Sequence, residues 1–203
     1  MRYPAFFDAV PRIRLHDPLA DFLGALEGGA IEYCYLDAVR LAGHSCPTVA
    51  GAYTLTRLAL TALYGADLAE RGGVRVNLRD EAASGVTGVV AHVASLLTGA
   101  CGESGFKGIG GRFERRGLLA FGVDQPLDLS FTRLDDGARV DAAAHLQAVP
   151  ADPRMGPLMQ RCLAGAAAPD EQDAFRGLWQ DRVRRVLLEH ADDPDVFVIR
   201  HHA

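Results

Sequence analysis

Gly43-His44-Ser45-Cys46-Pro47 heads a long run, Thr48 to Leu63, in which small and apolar residues recur at helical spacing. Pro47 suits the first helical position, where a missing N–H removes nothing the helix would have paired. Ala50, Gly51, Ala52 and Ala59 give that helix a narrow flank for close approach of another backbone, while Leu55, Leu58, Leu60 and Leu63 supply bulk. The run ends at Tyr64-Gly65. An imidazole and a thiol two positions apart therefore stand at the positive end of a helix, whose field favours an anion such as a thiolate.

Working outward, Asp17 and Pro18 form a cap and first turn for a short helix over His16 to Gly24. Ile31–Tyr35 reads as strand or turn, followed by a helical turn from Asp37 to Ala42. Val74 to Leu78 alternates like a strand, and Gly85 to Thr98 returns to helical periodicity with Gly99 as its stop. Five glycines between Gly102 and Gly111 predict a loop. Beyond it, Arg112–Arg115, Leu118–Val123, Leu127–Arg133 and Arg139–Leu146 read as strands of an antiparallel meander. Met155 to Leu163 and Asp170 to His190 read as helices, and Val196 to Arg200 as a last short strand. Helices first and hairpins later predict an α+β fold, with long helices packed on an antiparallel sheet. The expected organisation is one domain over residues 1–203, with a core at about 31–150 and a helical extension at 151–203.

The formal charge of −5 on 203 residues argues against general nucleic-acid affinity, and no Lys/Arg block offsets it. No run approaches the roughly 18 apolar residues of a membrane span, and the first residues do not resemble a signal peptide. Cys34, Cys46, Cys101 and Cys162 share no short paired spacing. Free thiols in a cytoplasmic protein are the expectation, and any metal site would have to gather ligands across the fold.

Two elements could complete such a site. Cys101 follows the helix that ends at Gly99, and His92 lies about two turns before that end, on the side of the helix that Gly99 shares. His44, Cys46, His92 and Cys101 would make an N₂S₂ set suited to Zn²⁺, and Ni²⁺ or Fe²⁺ would accept much of it. His-x-Cys by itself is a weak signal. The bland alternatives are a loop histidine, a small residue under a helix start, a helix histidine satisfied in the core and a packed cysteine. Asp37 is a cap first and a partner for the second nitrogen of His44 second. Lys107, the only lysine beside twenty arginines, stands on the Gly-rich loop, where it could orient an anionic group or simply be solvated.

These stretches resemble the FmdE family, named for the E subunit of formylmethanofuran dehydrogenase. The family's first motif, Gly-His-x-Cys-Pro-Gly, is matched by Gly43-His44-Ser45-Cys46-Pro47, with Thr48 in place of the last glycine. In its second motif, Leu96-Leu97-Thr98-Gly99 match, Cys101 comes one position late, Lys107-Gly108 come a few positions late, and His92 stands where the family has Asp. The resemblance spans about residues 35–125 and implies an α+β domain, a homodimer, and a transition metal held by the His/Cys pair and the second Cys. The family's C-terminal zinc finger has no counterpart here. The resulting expectation is a stand-alone zinc-binding protein and, if catalytic, one that acts on a small anionic substrate with Lys107 as its catalytic lysine. Two other readings stay open: a metal-free enzyme with Cys46 as nucleophile and His44 or His92 as base, and a non-catalytic metal carrier or sensor.

Overall fold

The structure, a computed structural model, describes residues 2–202. It is α+β, with six α-helices and two sheets among the described residues. The smaller sheet runs β2-β1-β3, with β1 (Ile13–His16) antiparallel to β2 (Ala30–Tyr33) and parallel to β3 (Ala69–Glu70). The larger runs β5-β4-β6-β7-β8. Its strands are β4 (Val74–Leu78), β5 (Leu119–Ala120), β6 (Leu129–Arg133), β7 (Arg139–Ala144) and β8 (Phe197–His201). Every neighbouring pair in it is antiparallel except β4 with β5, so this sheet is mixed.

The helices are α1 (Pro18–Phe22), α2 (Tyr35–Ala42), α3 (Pro47–Tyr64), α4 (Thr87–Thr98), α5 (Met155–Leu163) and α6 (Pro169–Arg184), the last continuing into one π-helical turn at Arg185–Glu189. None is long and apolar enough to cross a membrane. α3 is the central helix, packed against α4 and against β7. The flank of small residues makes this possible: Val49, Ala50, Gly51, Ala52 and Ala59 are all buried, and a side chain on Gly51 would run into Leu146. The core joins this helix to the sheet through Val76, Phe131 and Val140, which lie opposite one another across β4, β6 and β7 and are fully buried.

Most expected elements form within a residue or two of their predicted bounds, and the exceptions have physical reasons. Ile13–His16 is a strand because Ile13 and Leu15 face the core while Arg14 stays in solvent. Arg112–Arg115 forms no strand. Gly108, Gly110 and Gly111 have left-handed backbone, as does Phe113 at φ 63°, and such residues cannot continue a ladder. The segment Leu118–Val123 pairs only at Leu119–Ala120, alongside β4. The C-terminal residues are tied into the same sheet, since β8 pairs with β7 from Val140↔His201 to Ala144↔Phe197.

Candidate functional site

The segment Gly43–Cys46 is shaped from both sides. Gly43 ends α2 in the left-handed conformation (φ 74°), with its N–H on the Val39 carbonyl. Cys46 then caps α3: its buried sulfur accepts the Val49 N–H at 3.5 Å. Between them, Ser45 is held by a distant part of the chain. Trp179 Nε1 and Gln180 Nε2, both on α6, donate to the Ser45 carbonyl at 3.0 and 3.2 Å. The Ser45 hydroxyl donates to Gln180 Oε1 at 3.1 Å and lies 3.0 Å from the Tyr35 hydroxyl. Burial raises the Tyr35 phenol well above its ordinary range, so it stays protonated and can donate to that serine. Tyr35, Trp179 and Gln180 set this loop, and sequence spacing gave no hint of the last two.

His44 stands exposed between two hollows. Its Nδ1 lies 3.0 Å from the Ala42 carbonyl, which favours the tautomer with the proton on Nδ1 and leaves Nε2 as the free donor atom. Asp37 does not serve it, because that carboxylate takes the Cys34 N–H at 2.9 Å and Arg40 at 3.0 Å. The smaller hollow, of about 150 Å³, is lined by Leu41, Ala42, His44, Val89, His92 and Val93. His44 and His92 therefore both line one surface depression, between the end of α2 and the middle of α4.

The two thiols lie elsewhere. Thr48 and Gly51 in the first turns of α3 share a cavity with Val86, Thr87 and Val90 at the start of α4, so the N-terminal ends of the two helices are neighbours. Cys101 lies beyond the other end of α4, and twelve residues of helix span about 18 Å. There the Cys101 backbone pairs with Arg115 and Leu118 at the base of the Gly-rich loop. A side chain on Gly105 would come within 2.6 Å of Cys101 Cβ, so the cysteine fills a tight corner. Lys107 is exposed on that loop, and Cys34 and Cys162 lie on α2's cap and within α5.

Among the described residues, no three His, Cys, Asp or Glu side chains are grouped so as to hold a metal ion. Zinc needs three or four such donors at about 2.0–2.3 Å. The four-donor set of His44, Cys46, His92 and Cys101 thus does not fit as one centre within this chain. Its two imidazoles line one depression, the Cys46 sulfur caps α3, and the Cys101 thiol donates to the Gly99 carbonyl at 3.6 Å.

Cys101's end of α4 is closed by charge instead. Asp17, which caps α1 through the Leu19 and Ala20 amides, also accepts from Arg115 Nη2 at 2.8 Å and Arg71 Nη1 at 2.9 Å. Burial alone would raise the Asp17 carboxyl. The bonds from Arg71 and Ala20, with the charges of both arginines, outweigh it and hold the carboxyl below its ordinary value. Arg71 also donates to the Leu96 carbonyl near the α4 C-terminus, where a cation is favoured. Arg115 Nη1 is buried without a partner among the described residues, lying over Gly99.

Compared with models of known families and with curated proteins, the chain matches none.

Proposed function

We propose that this chain is a transition-metal-binding protein of the FmdE-like kind in which His44 and His92 are the protein's donors, with Zn²⁺ as the ion. The observation that carries the reading is the pair of imidazoles lining one depression, with Nδ1 of His44 already engaged by a backbone carbonyl. Metal-bound histidines commonly use their second nitrogen in this way, which orients the ring and frees the other nitrogen. Two imidazoles fall short of the three or four donors zinc takes, so a donor from a second copy completes the shell and leaves a position for water or a small anion, in line with the homodimer and anionic ligand expected from the resemblance. The reading with Cys46 as nucleophile draws no support from the geometry, since that sulfur is buried and faces the Val49 amide.

The test is a zinc titration by calorimetry, in a background carrying His201→Ala and His202→Ala so that the terminal imidazoles do not contribute. His44→Ala and His92→Ala should each weaken binding at least tenfold, while Cys46→Ser and Cys101→Ser leave it within about twofold. Binding that survives both histidine substitutions, or is lost with Cys101→Ser, overturns the assignment.

A further inference from the structure

His44 also stands at the edge of a larger groove of about 640 Å³ between the N-terminal segment, α2 and α6. We infer that this groove binds a small molecule with an aromatic body and one carboxylate, independently of any metal at His44 and His92.

Its volume falls within the range of ordinary small-molecule sites, which are mostly apolar with a few polar groups that fix orientation. The walls here are Tyr3 and Phe7 from the N-terminal segment, Leu36 and Val39 from α2, and Phe175 and Trp179 from α6. Phe175 and Trp179 meet at 5.7 Å between ring centroids and 53° between planes, forming one continuous aromatic wall. Phe7 packs edge-on against buried Tyr35 at 4.9 Å, which fixes the floor. The same contacts that hold Ser45 hold this wall, because Trp179 Nε1 is spent on the Ser45 carbonyl and its ring is thereby oriented.

Charge supplies the second half of the argument. The chain has 26 acidic against 21 basic residues, yet among the described residues the groove is lined by Arg2 and Arg176 and by no carboxylate, the nearby Asp8 accepting from the Tyr3 hydroxyl at 3.0 Å. Asp173 does pair with Arg176 at 2.8 Å, but both side chains are largely exposed. Such a pair is weak, and the guanidinium has donors to spare for a second carboxylate. Aromatic walls under a cationic rim, on a protein of opposite net charge, complement an aromatic acid.

The chain's single tryptophan lies in the groove and reports its occupancy. We would titrate 4-phenylbutyrate and its uncharged counterpart 4-phenyl-1-butanol into chelator-treated protein, following Trp179 emission and confirming by calorimetry. The expected result is a saturable response, with the acid bound about tenfold more tightly than the alcohol. Arg2→Gln with Arg176→Gln should abolish that preference and leave the alcohol's affinity unchanged. Phe175→Ala should weaken both ligands about tenfold, with thermal melting to confirm that α6 remains folded; if it does not, the arginine variant alone decides. His92→Ala should change nothing, which separates this site from zinc binding. No saturable response, equal affinity for acid and alcohol, or a preference that survives the double arginine substitution overturns the inference.

Discussion

The two ends of the α3/α4 pair are built on opposite plans. At the C-terminal end of α4 the space is filled by ionic groups that satisfy one another: Asp17 holds Arg71 and Arg115, and Arg115 lies over Gly99. At the other end the helices open onto a cavity, and beside the middle of α4 two imidazoles line a surface depression, with the Nε2 of His44 free. Both ends carry one of the chain's candidate cysteines. At one place the ionisable groups face each other and are paired; at the other they face a hollow and remain open to a ligand.

The contrast is most easily broken at Asp17. Asp17→Ala strands two guanidiniums, one of them Arg115 with its side chain 6% exposed, and should cost about 3–5 kcal/mol in urea denaturation. His92→Ala in the depression beside α4 should leave stability within about 0.5 kcal/mol. Comparable losses at both sites would erase the distinction.

Acid should loosen the closed end through Asp17. The Asp17 carboxyl titrates lower in the folded chain than in the unfolded one, so the stability it contributes is present above the unfolded value, about 3.9, and drains away as pH falls below that. The fall in melting temperature below pH 4 should be shallower in Asp17→Asn than in the native chain, measured against each protein's own value at pH 6. Parallel curves would show that Asp17 does not carry the acid response.

Gly43 and Gly99 sharpen the comparison, since both end helices at φ 74°. An added methyl at Gly43 meets open space, while at Gly99 it strikes the Arg115 guanidinium. Gly43→Ala should therefore cost only the left-handed strain, about 1–2 kcal/mol, and Gly99→Ala distinctly more. Equal costs would mean that Arg115 moves aside freely. A smaller effect belongs to Trp179→Phe, which removes one of two donors to the Ser45 carbonyl and should cost about 1 kcal/mol. That substitution should also weaken zinc binding through His44.

Local chemistry made much of this fold legible. Pro47 and Gly65 bracket α3, Asp17 and Pro18 start α1, Gly99 stops α4, and the alternation of Val74 to Leu78 marks a strand buried on one side. Ile13–His16 carried the same two-residue period, but over only four positions beside Pro11, too short to stand out. Arg112–Arg115 failed in the other direction: its residue types suit a strand, but the glycines before it and Phe113's positive φ shape a loop. At the candidate site, helical spacing tied His92 to the Gly99 side of α4 and to Cys101, whereas its sharing a depression with His44 depends on how α2 packs against α4. The separation of Cys46 from Cys101 was not legible either, because it depends on which ends of α3 and α4 lie together. Nor was the role of α6, whose partners lie too far along the chain for any local pattern.

Ser45 is fastened by side chains 134 and 135 positions further on. During synthesis the His44 loop emerges ahead of α6, with the Ser45 carbonyl and hydroxyl still hydrated. It cannot take its final geometry until α6, with Trp179 and Gln180, has been made. The candidate metal-binding loop is thus translated well before the helix that completes it.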